Sequence, residues 1–264
     1  MGGKLIIESI VGKGTVLHIE LLQSEVPNWF ASKLYFFENS DLILLDDDQP
    51  IHDVWQSRFS SEIPAADLNL IHYYAPELLI NNEEKNDNCH YLIDYELIGS
   101  AINGLDVIEM LDLGGKATLV TSRYDDELIQ AKCKVLRAKI LPKYYAPFVT
   151  LHVLYLNPDL ILIDDNTDFT SSLQYKAEFS AKKLVVFNSI CEAERYIGTY
   201  KRDSLIYVDS HLNHGMKGEL YAKVLFEMGF TNIHLYTGYE SDVFDVAQMY
   251  WIKSIVKKDT PLFN

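Results

Sequence analysis

Short, mainly apolar runs alternating with stretches of helical periodicity predict an α/β protein built on open parallel sheets, and the pattern runs through the chain twice. In the first half the runs are residues 42–45 (LILL), 91–93 (YLI), 117–120 (ATLV) and 138–141 (AKIL). In the second they are 160–163 (LILI), 184–187 (LVVF), 205–208 (LIYV), 233–236 (IHLY) and 252–256 (IKSIV). Runs this short and this apolar suit strands buried on both faces, which is the situation in a parallel sheet. Between them Ile51, Trp55 and Phe59, and again Leu105, Ile108 and Leu111, recur at helical spacing. The third observation is a set of polar residues, placed just past the strand ends, that occurs in both halves.

That set is Asp46-Asp47, Asp94, Thr121 and Lys143, then Asp164-Asp165, Asp209, Thr237 and Lys258. Asp47 and Asp165 are 118 residues apart, Asp94 and Asp209 115, Thr121 and Thr237 116, and Lys143 and Lys258 115. Within a copy the steps are 47, 27 and 22 residues in the first and 44, 28 and 21 in the second. Taken alone, an Asp pair after an apolar strand is as well explained by a helix N-cap. The correctly spaced Asp, Thr and Lys, and the duplication, favour a site. Open parallel sheets gather ligands along the C-terminal edge of their strands, which is where all of these residues fall.

Taken in order, residues 1–23 (MGGKLIIESIVGKGTVLHIELLQ) predict two short strands joined by the turn Gly12-Lys13-Gly14-Thr15. So short a piece has no core of its own and must lean on something else. The turn lacks the spacing of a phosphate-binding P-loop. Residues 24–40 form a connector, with a docked helix expected over 29–37. The strand–helix alternation then occupies 41–150 and 158–264.

Composition narrows the function. The chain has 264 residues, 48% of them hydrophobic and 23% charged, enough for two domains with separate cores. A formal net charge of −15 argues against nucleic acid and against an anionic membrane surface as direct partners. Cys89, Cys133 and Cys191 sit at unrelated spacings, indicating neither a disulfide framework nor a zinc site, and a reducing cytoplasmic setting is expected. No apolar run reaches the length of a membrane span. Trp29, Trp55 and Trp251 are expected to anchor cores or interfaces.

The chemistry follows from the residue types. Three carboxylates crowd one another unless a cation sits among them, and Mg2+ takes such oxygen ligands while keeping several waters. The expected metal ligands are Asp46, Asp47 and Asp94 in the first copy and Asp164, Asp165 and Asp209 in the second. Asp94 and Asp209 can then act as nucleophiles toward a phosphoryl donor. Lys143 and Lys258 offset charge, and Thr121 and Thr237 donate to a phosphoryl oxygen.

At this point both halves resemble the receiver domains of bacterial two-component signalling. In the first, LILLDDD carries the acidic pair, YLID the phosphoacceptor, LVTS the switch hydroxyl and ILPK the lysine; in the second, LILIDD, LIYVD, HLYTG and IVKKDTP do so. The pattern Lys-x-x-Pro with Pro261 favours Lys258 over Lys257. The resemblance implies two flavodoxin-like, doubly wound, five-stranded parallel sheets in tandem. It also implies Mg2+-dependent phosphoryl transfer from the phosphohistidine of a histidine kinase core or phosphotransfer protein, a downstream response regulator or output protein, and a homodimer as one assembly.

Some family features are missing. The Pro that usually follows the acceptor is replaced by Ile98-Gly99 in the first copy and Asn213-His214 in the second. The Pro after the lysine is Tyr144 or Asp259, and the aromatic three residues before it is Ile140 or Ile255, so the family's hydroxyl–aromatic coupling is not expected. Glu96 and His211, each two residues past the acceptor, are candidates for tuning phosphoryl lifetime.

Residues 1–23 resemble the last glycine box and final strands of a histidine-kinase ATPase domain, without its nucleotide-binding motifs. A hybrid histidine kinase cut after its catalytic core is the implied parent, and autokinase activity is not expected. Two other functions fit the residues less well. A phosphorylation-independent scaffold for dimerisation and docking would explain the missing Pro and aromatic. A phosphohydrolase using Asp46 and Asp48 would leave Asp94 and Lys143 unexplained.

Overall fold

The computed structural model describes residues 3–21, 26–63, 67–82, 89–212, 215–239 and 249–263. Its chain begins with a hairpin, β1 (Gly3–Ile10) and β2 (Gly14–Leu21), paired antiparallel. Next come β3 (Lys33–Phe37), β4 (Asp41–Leu45), α1 (Gln49–Glu62), β5 (Asn69–Tyr73), α2 (Pro76–Asn82) and β6 (Cys89–Asp94). They are followed by α3 (Gly104–Met110), β7 (Ala117–Thr121), α4 (Glu127–Leu136), β8 (Lys139–Pro142) and β9 (Thr150–Leu154). The second half has β10 (Leu160–Ile163), α5 (Thr167–Phe179), β11 (Leu184–Phe187), α6 (Ile190–Tyr196) and β12 (Ile206–Asp209). After these lie a two-residue pair, β13 (His211–Leu212) and β14 (Met216–Lys217), then α7 (Gly218–Glu227), β15 (Ile233–Thr237) and β16 (Ser254–Lys257).

Two five-stranded parallel sheets result, in the orders β5-β4-β6-β7-β8 and β11-β10-β12-β15-β16. Numbered within each half both read 2-1-3-4-5, the doubly wound flavodoxin-like arrangement. The chain therefore has the α/β class its alternation predicts. The central strands are apolar throughout because helices or other strands cover both faces: β10 is buried at all of its positions and β4 at all but Asp41. Local chemistry starts the helices. Asn103 and Asp106 form a reciprocal capping box on α3, Asp126 caps α4, Asn166 caps α5 and Ser189 caps α6.

One face of the first sheet packs on α2, α3 and α4 through Leu79, Leu105, Ile108, Ile129 and Cys133. Its other face packs on α1 through Trp55 and Phe59. In the second sheet α6 and α7 cover one face through Ala193, Tyr221 and Leu225, and α5 covers the other through Leu173 and Ala177. Trp29 and Trp251 lie against these clusters half-buried, and Trp55 lies inside one.

The helix expected over 29–37 is replaced by a strand. β3 pairs in parallel with β9, from Lys33 opposite Thr150 to Phe37 opposite Leu154, in a two-stranded ribbon separate from both sheets. Leu34 and Phe36 enter the α1-side core of the first sheet, whereas Tyr35 and Phe37 pack on the second sheet's core. A strand's side chains alternate between faces, so a strand sandwiched between two cores, as β3 is over Leu34–Phe37, is apolar on both faces. Such a run cannot be told from a buried helix by periodicity. Its partner lies 117 residues away (Lys33 to Thr150), beyond the reach of local sequence signals.

Polar contacts tie both ends of β3 to the second half of the chain. Lys33 Nζ reaches Asn188 Oδ1 at 2.6 Å and Glu192 Oε1 at 3.4 Å, and Lys183 Nζ donates to Glu38 Oε2 at 2.6 Å. The β1–β2 hairpin differs: all its side chains are exposed except half-buried Ile6, Leu5, Ile7, Val16, Leu17 and Ile19 included.

Candidate functional site

Adjacency of β4 and β6 in the first sheet brings their C-terminal ends together, and with them Asp46 and Asp94. Asp46 follows β4 directly, Asp94 and Thr121 end β6 and β7, and Lys143 follows β8. Lys143 Nζ lies 2.7 Å from Asp94 Oδ2 and 3.3 Å from Asp46 Oδ2. Carboxylate oxygens of Asp46, Asp47 and Asp94 lie within 4.8 Å of one another. Asp46 and Asp94 are buried and Asp47 half-buried. Asp46 is held from behind, its Oδ1 accepting the Asp48 amide at 2.9 Å and its carbonyl lying 2.8 Å from His52 Nε2.

The second sheet repeats the geometry. Lys258 Nζ lies 2.7 Å from Asp164 Oδ2 and 3.1 Å from Asp209 Oδ2, and Asp164, Asp165 and Asp209 form the same kind of carboxylate cluster. Asp164 Oδ1 accepts the Asn166 amide at 3.0 Å, as Asp46 does that of Asp48. Lys258, rather than Lys257, is the lysine that spans the two carboxylates. Thr237 ends β15 as Thr121 ends β7.

The electrostatics call for a cation. Each cluster sets three carboxylates against one ammonium. Burial is the main cause that lifts Asp94 from an ordinary 3.8 to about 6, with the Lys143 hydrogen bond opposing it and Asp46 adding to it. Burial also raises Asp46 and Asp209; Asp209 is raised further by Asp164 and opposed by Lys258. Burial works against the charge of Lys143, but Asp94 and Asp46 outweigh it and hold the ammonium above its ordinary value; Lys258 is held up likewise by Asp164 and Asp209. Asp94 Oδ1 is buried without a hydrogen-bond partner. An all-oxygen, net dianionic donor set with an orphaned carboxylate oxygen fits a hard divalent ion such as Mg2+.

Residues outside the repeated set complete the frame. A Cβ on Gly104 would lie 2.0 Å from the Asp94 carbonyl oxygen, and one on Gly218 1.8 Å from that of Asp209, so only glycine lets α3 and α7 start against the backbone of these two aspartates. Their separation of 114 residues was the available signal. Asn188 donates to the Asp164 carbonyl and to Thr170 Oγ1, both at 2.9 Å, while accepting from Lys33 of the ribbon. Nothing in the sequence marks Asn188, because its role depends on β3 arriving from another part of the chain.

The tuning candidates pair across each site. Glu96 and Arg123 are electrostatic neighbours in the first, and His211 packs on Tyr239 at 5.0 Å between ring centroids in the second. Of the stand-ins for the missing Pro, Ile98 is exposed and Gly99 has a φ of 83°, while Asn213-His214 lie outside the described residues. Ile140 is fully buried in the first core and Ile255 is half-buried on the second. Among the described residues no helix is long and apolar enough to cross a membrane. Cys89 and Cys133 are buried and Cys191 is exposed.

No protein-family model matches the chain, and no curated protein matches it. Solved structures do. A CheY-like response regulator receiver domain protein from Methanospirillum hungatei JF-1 is 18% identical, with 39% of this chain and 82% of that one covered and a TM-score of 0.34. The Salmonella typhimurium RcsB response regulator is 18% identical, with 73% and 79% covered and a TM-score of 0.34. Full-length ShkA in complex with AMPPNP is 13% identical, with 99% of this chain and 56% of that one covered and a TM-score of 0.33. At these values the likenesses add nothing to what the two sheets themselves establish.

Proposed function

We propose that the chain is a tandem pair of phosphoacceptor receivers in a two-component phosphorelay, with units at 41–150 and 158–264. The observation that carries this reading is the duplicated cluster, in which one buried-edge lysine spans two carboxylates at the same place on two like sheets. The carboxylate of Asp94 or Asp209 attacks phosphorus, the P–N bond of a phosphohistidine breaks, and the imidazole leaves with a proton, giving an aspartyl phosphate. Bound Mg2+ supplies positive charge for the phosphoryl oxygens. Lys143 and Lys258 hold the acceptor in place and offset the carboxylate charge, and Thr121 and Thr237 each offer a hydroxyl to a third oxygen. The partners are a histidine kinase core or phosphotransfer protein on one side and a response regulator or output protein on the other, in the cytoplasm. Residues 1–23 are read as the tail of an ATPase domain, and the exposed apolar side chains of Leu5, Ile7, Val16, Leu17 and Ile19 suit a hairpin that packs on a further surface.

Phosphoramidate, a small donor with the same P–N bond, tests the step. Mg2+-dependent incorporation of phosphoryl groups, lost with EDTA, is expected. Failure to label with Mg2+ bound at both clusters would overturn it.

A second reading has its own observation. The β3–β9 ribbon is built into both cores, and the family's Pro and aromatic are absent, so the two units suit a phosphorylation-independent scaffold for dimerisation and docking. Asp94→Asn with Asp209→Asn separates the two, since partner binding by the scaffold survives the pair of substitutions unchanged.

A further inference from the structure

The two threonines hold equivalent places but have different neighbours. Thr237 Oγ1 accepts the Tyr239 amide at 3.2 Å, as Thr121 Oγ1 accepts that of Arg123 at 3.0 Å. Thr237 Oγ1 also lies 2.7 Å from Ser210 Oγ, and both side chains are buried. Ser210 follows the acceptor Asp209. Its counterpart Tyr95 instead carries its ring against the Arg123 guanidinium, 5.4 Å from centroid to carbon. The two units therefore differ at the residue beside the acceptor.

A threonine hydroxyl has one proton and two lone pairs. The Tyr239 amide occupies one lone pair. When Ser210 donates to the other, the single proton of Thr237 is left to point away from both donors. A phosphoryl oxygen on Asp209 is a charged acceptor and outcompetes a neutral serine for that proton. Ser210 then keeps the buried Thr237 oxygen satisfied, at a separation ideal for an O–H···O bond. In the absence of a phosphoryl group the same pair can bond in the reverse sense, with Ser210 Oγ free to use His211 Nδ1, 3.3 Å away.

We propose that Ser210 is a positioning residue, setting the rotor of the Thr237 hydroxyl toward the phosphoryl group so that the second unit takes up and holds phosphate differently from the first. This rests on the phosphoacceptor reading above, and Ser210 acts only through Thr237.

The test is the rate of phosphoryl incorporation at Asp209 from phosphoramidate with Mg2+, read by mass on the full chain, with Asp94 as internal reference. Ser210→Ala should slow Asp209 by about 3- to 10-fold, the worth of one buried hydrogen bond, and leave the Asp94 rate unchanged. Thr237→Ala should slow it at least as much, and adding Ser210→Ala to Thr237→Ala should change nothing further. Ser210→Thr, which restores the hydroxyl, should recover most of the rate. Should the alanine variant lose its cooperative melt, Ser210→Cys carries the test and should give an intermediate rate. An unchanged rate in Ser210→Ala, or the same loss in the Thr237→Ala background, overturns the proposal while leaving the phosphoacceptor reading intact. No label at Asp209 in the unsubstituted protein overturns both.

Discussion

Each lysine of the candidate sites touches two carboxylates on different strand ends, so its loss is felt by both. Without Lys143, Asp46 and Asp94 face each other across a buried edge with no protein cation between them. Lys143→Ala should therefore cut phosphoryl retention at Asp94 by about 10-fold or more, read as the decay of labelled protein after donor removal, and leave Asp209 unaffected. The pH dependence follows from Asp94. Its folded value near 6 exceeds the ordinary 3.8, so the folded protein binds this proton more tightly than the unfolded chain does. The stability it contributes is full below about pH 4 and lost as pH rises through 6, a change on the order of 3 kcal/mol. In Mg2+-free buffer, wild type should lose stability relative to Asp94→Asn between pH 4 and 7, and Mg2+ should restore it at pH 7 but not at pH 4.5. Parallel pH profiles for the two proteins by denaturant titration would contradict this. At this scale the Asp, Thr and Lys positions were legible because the chain states them twice. Ser210, Asn188 and His52 were not, since each acts through a neighbour that only the assembled sheets supply.

Elements place these residues, and glycine governs how closely two of them approach. α3 and α7 begin against the carbonyls of Asp94 and Asp209, where a methyl group would overlap oxygen. Gly104→Ala should destabilise the chain by about 2–4 kcal/mol and weaken Mg2+ binding, because relief requires moving the acceptor's backbone. Gly198→Ala, where an added Cβ meets nothing within 4 Å, should be within about 0.5 kcal/mol of wild type by urea denaturation. Equal effects at the two positions would show that the contact with Asp94 carries no weight. Nine of the ten strands of the two sheets are legible as apolar runs, eight of them ending at the site residues. β5 (NLIHY) leaves no such run because His72 and Asn69 break it at a sheet edge, and β3 has no strand alternation because both of its faces are covered.

At the scale of the whole molecule, the ribbon is the feature that tandem sheets alone do not imply. Phe36 is buried beside Phe59, with ring centroids 5.1 Å apart and nearly perpendicular, while Tyr35 lies 5.1 Å from Tyr196 across the other face. Because one strand completes two cores, the halves should melt together. Trp55 reports on the first core and Trp251 on the second; with the other tryptophans replaced by Phe, their fluorescence transitions should coincide. Midpoints separated by more than about 10 °C would show that the ribbon does not couple them. The net charge of −15 excluded nucleic acid from the expected partners but said nothing about this coupling. Long-range pairing leaves no mark on composition.

If this chain holds two independent phosphoacceptors, as proposed, counting the phosphoryl groups it takes up is decisive. Intact mass would be measured after treatment with Mg2+ and acetyl phosphate for the unsubstituted protein, Asp94→Asn, Asp209→Asn and the double variant. Two added phosphoryl groups are expected in the unsubstituted protein, one in each single variant, and none in the double. Label persisting in the double variant, or none in the unsubstituted protein with Mg2+ bound at both clusters, would contradict it.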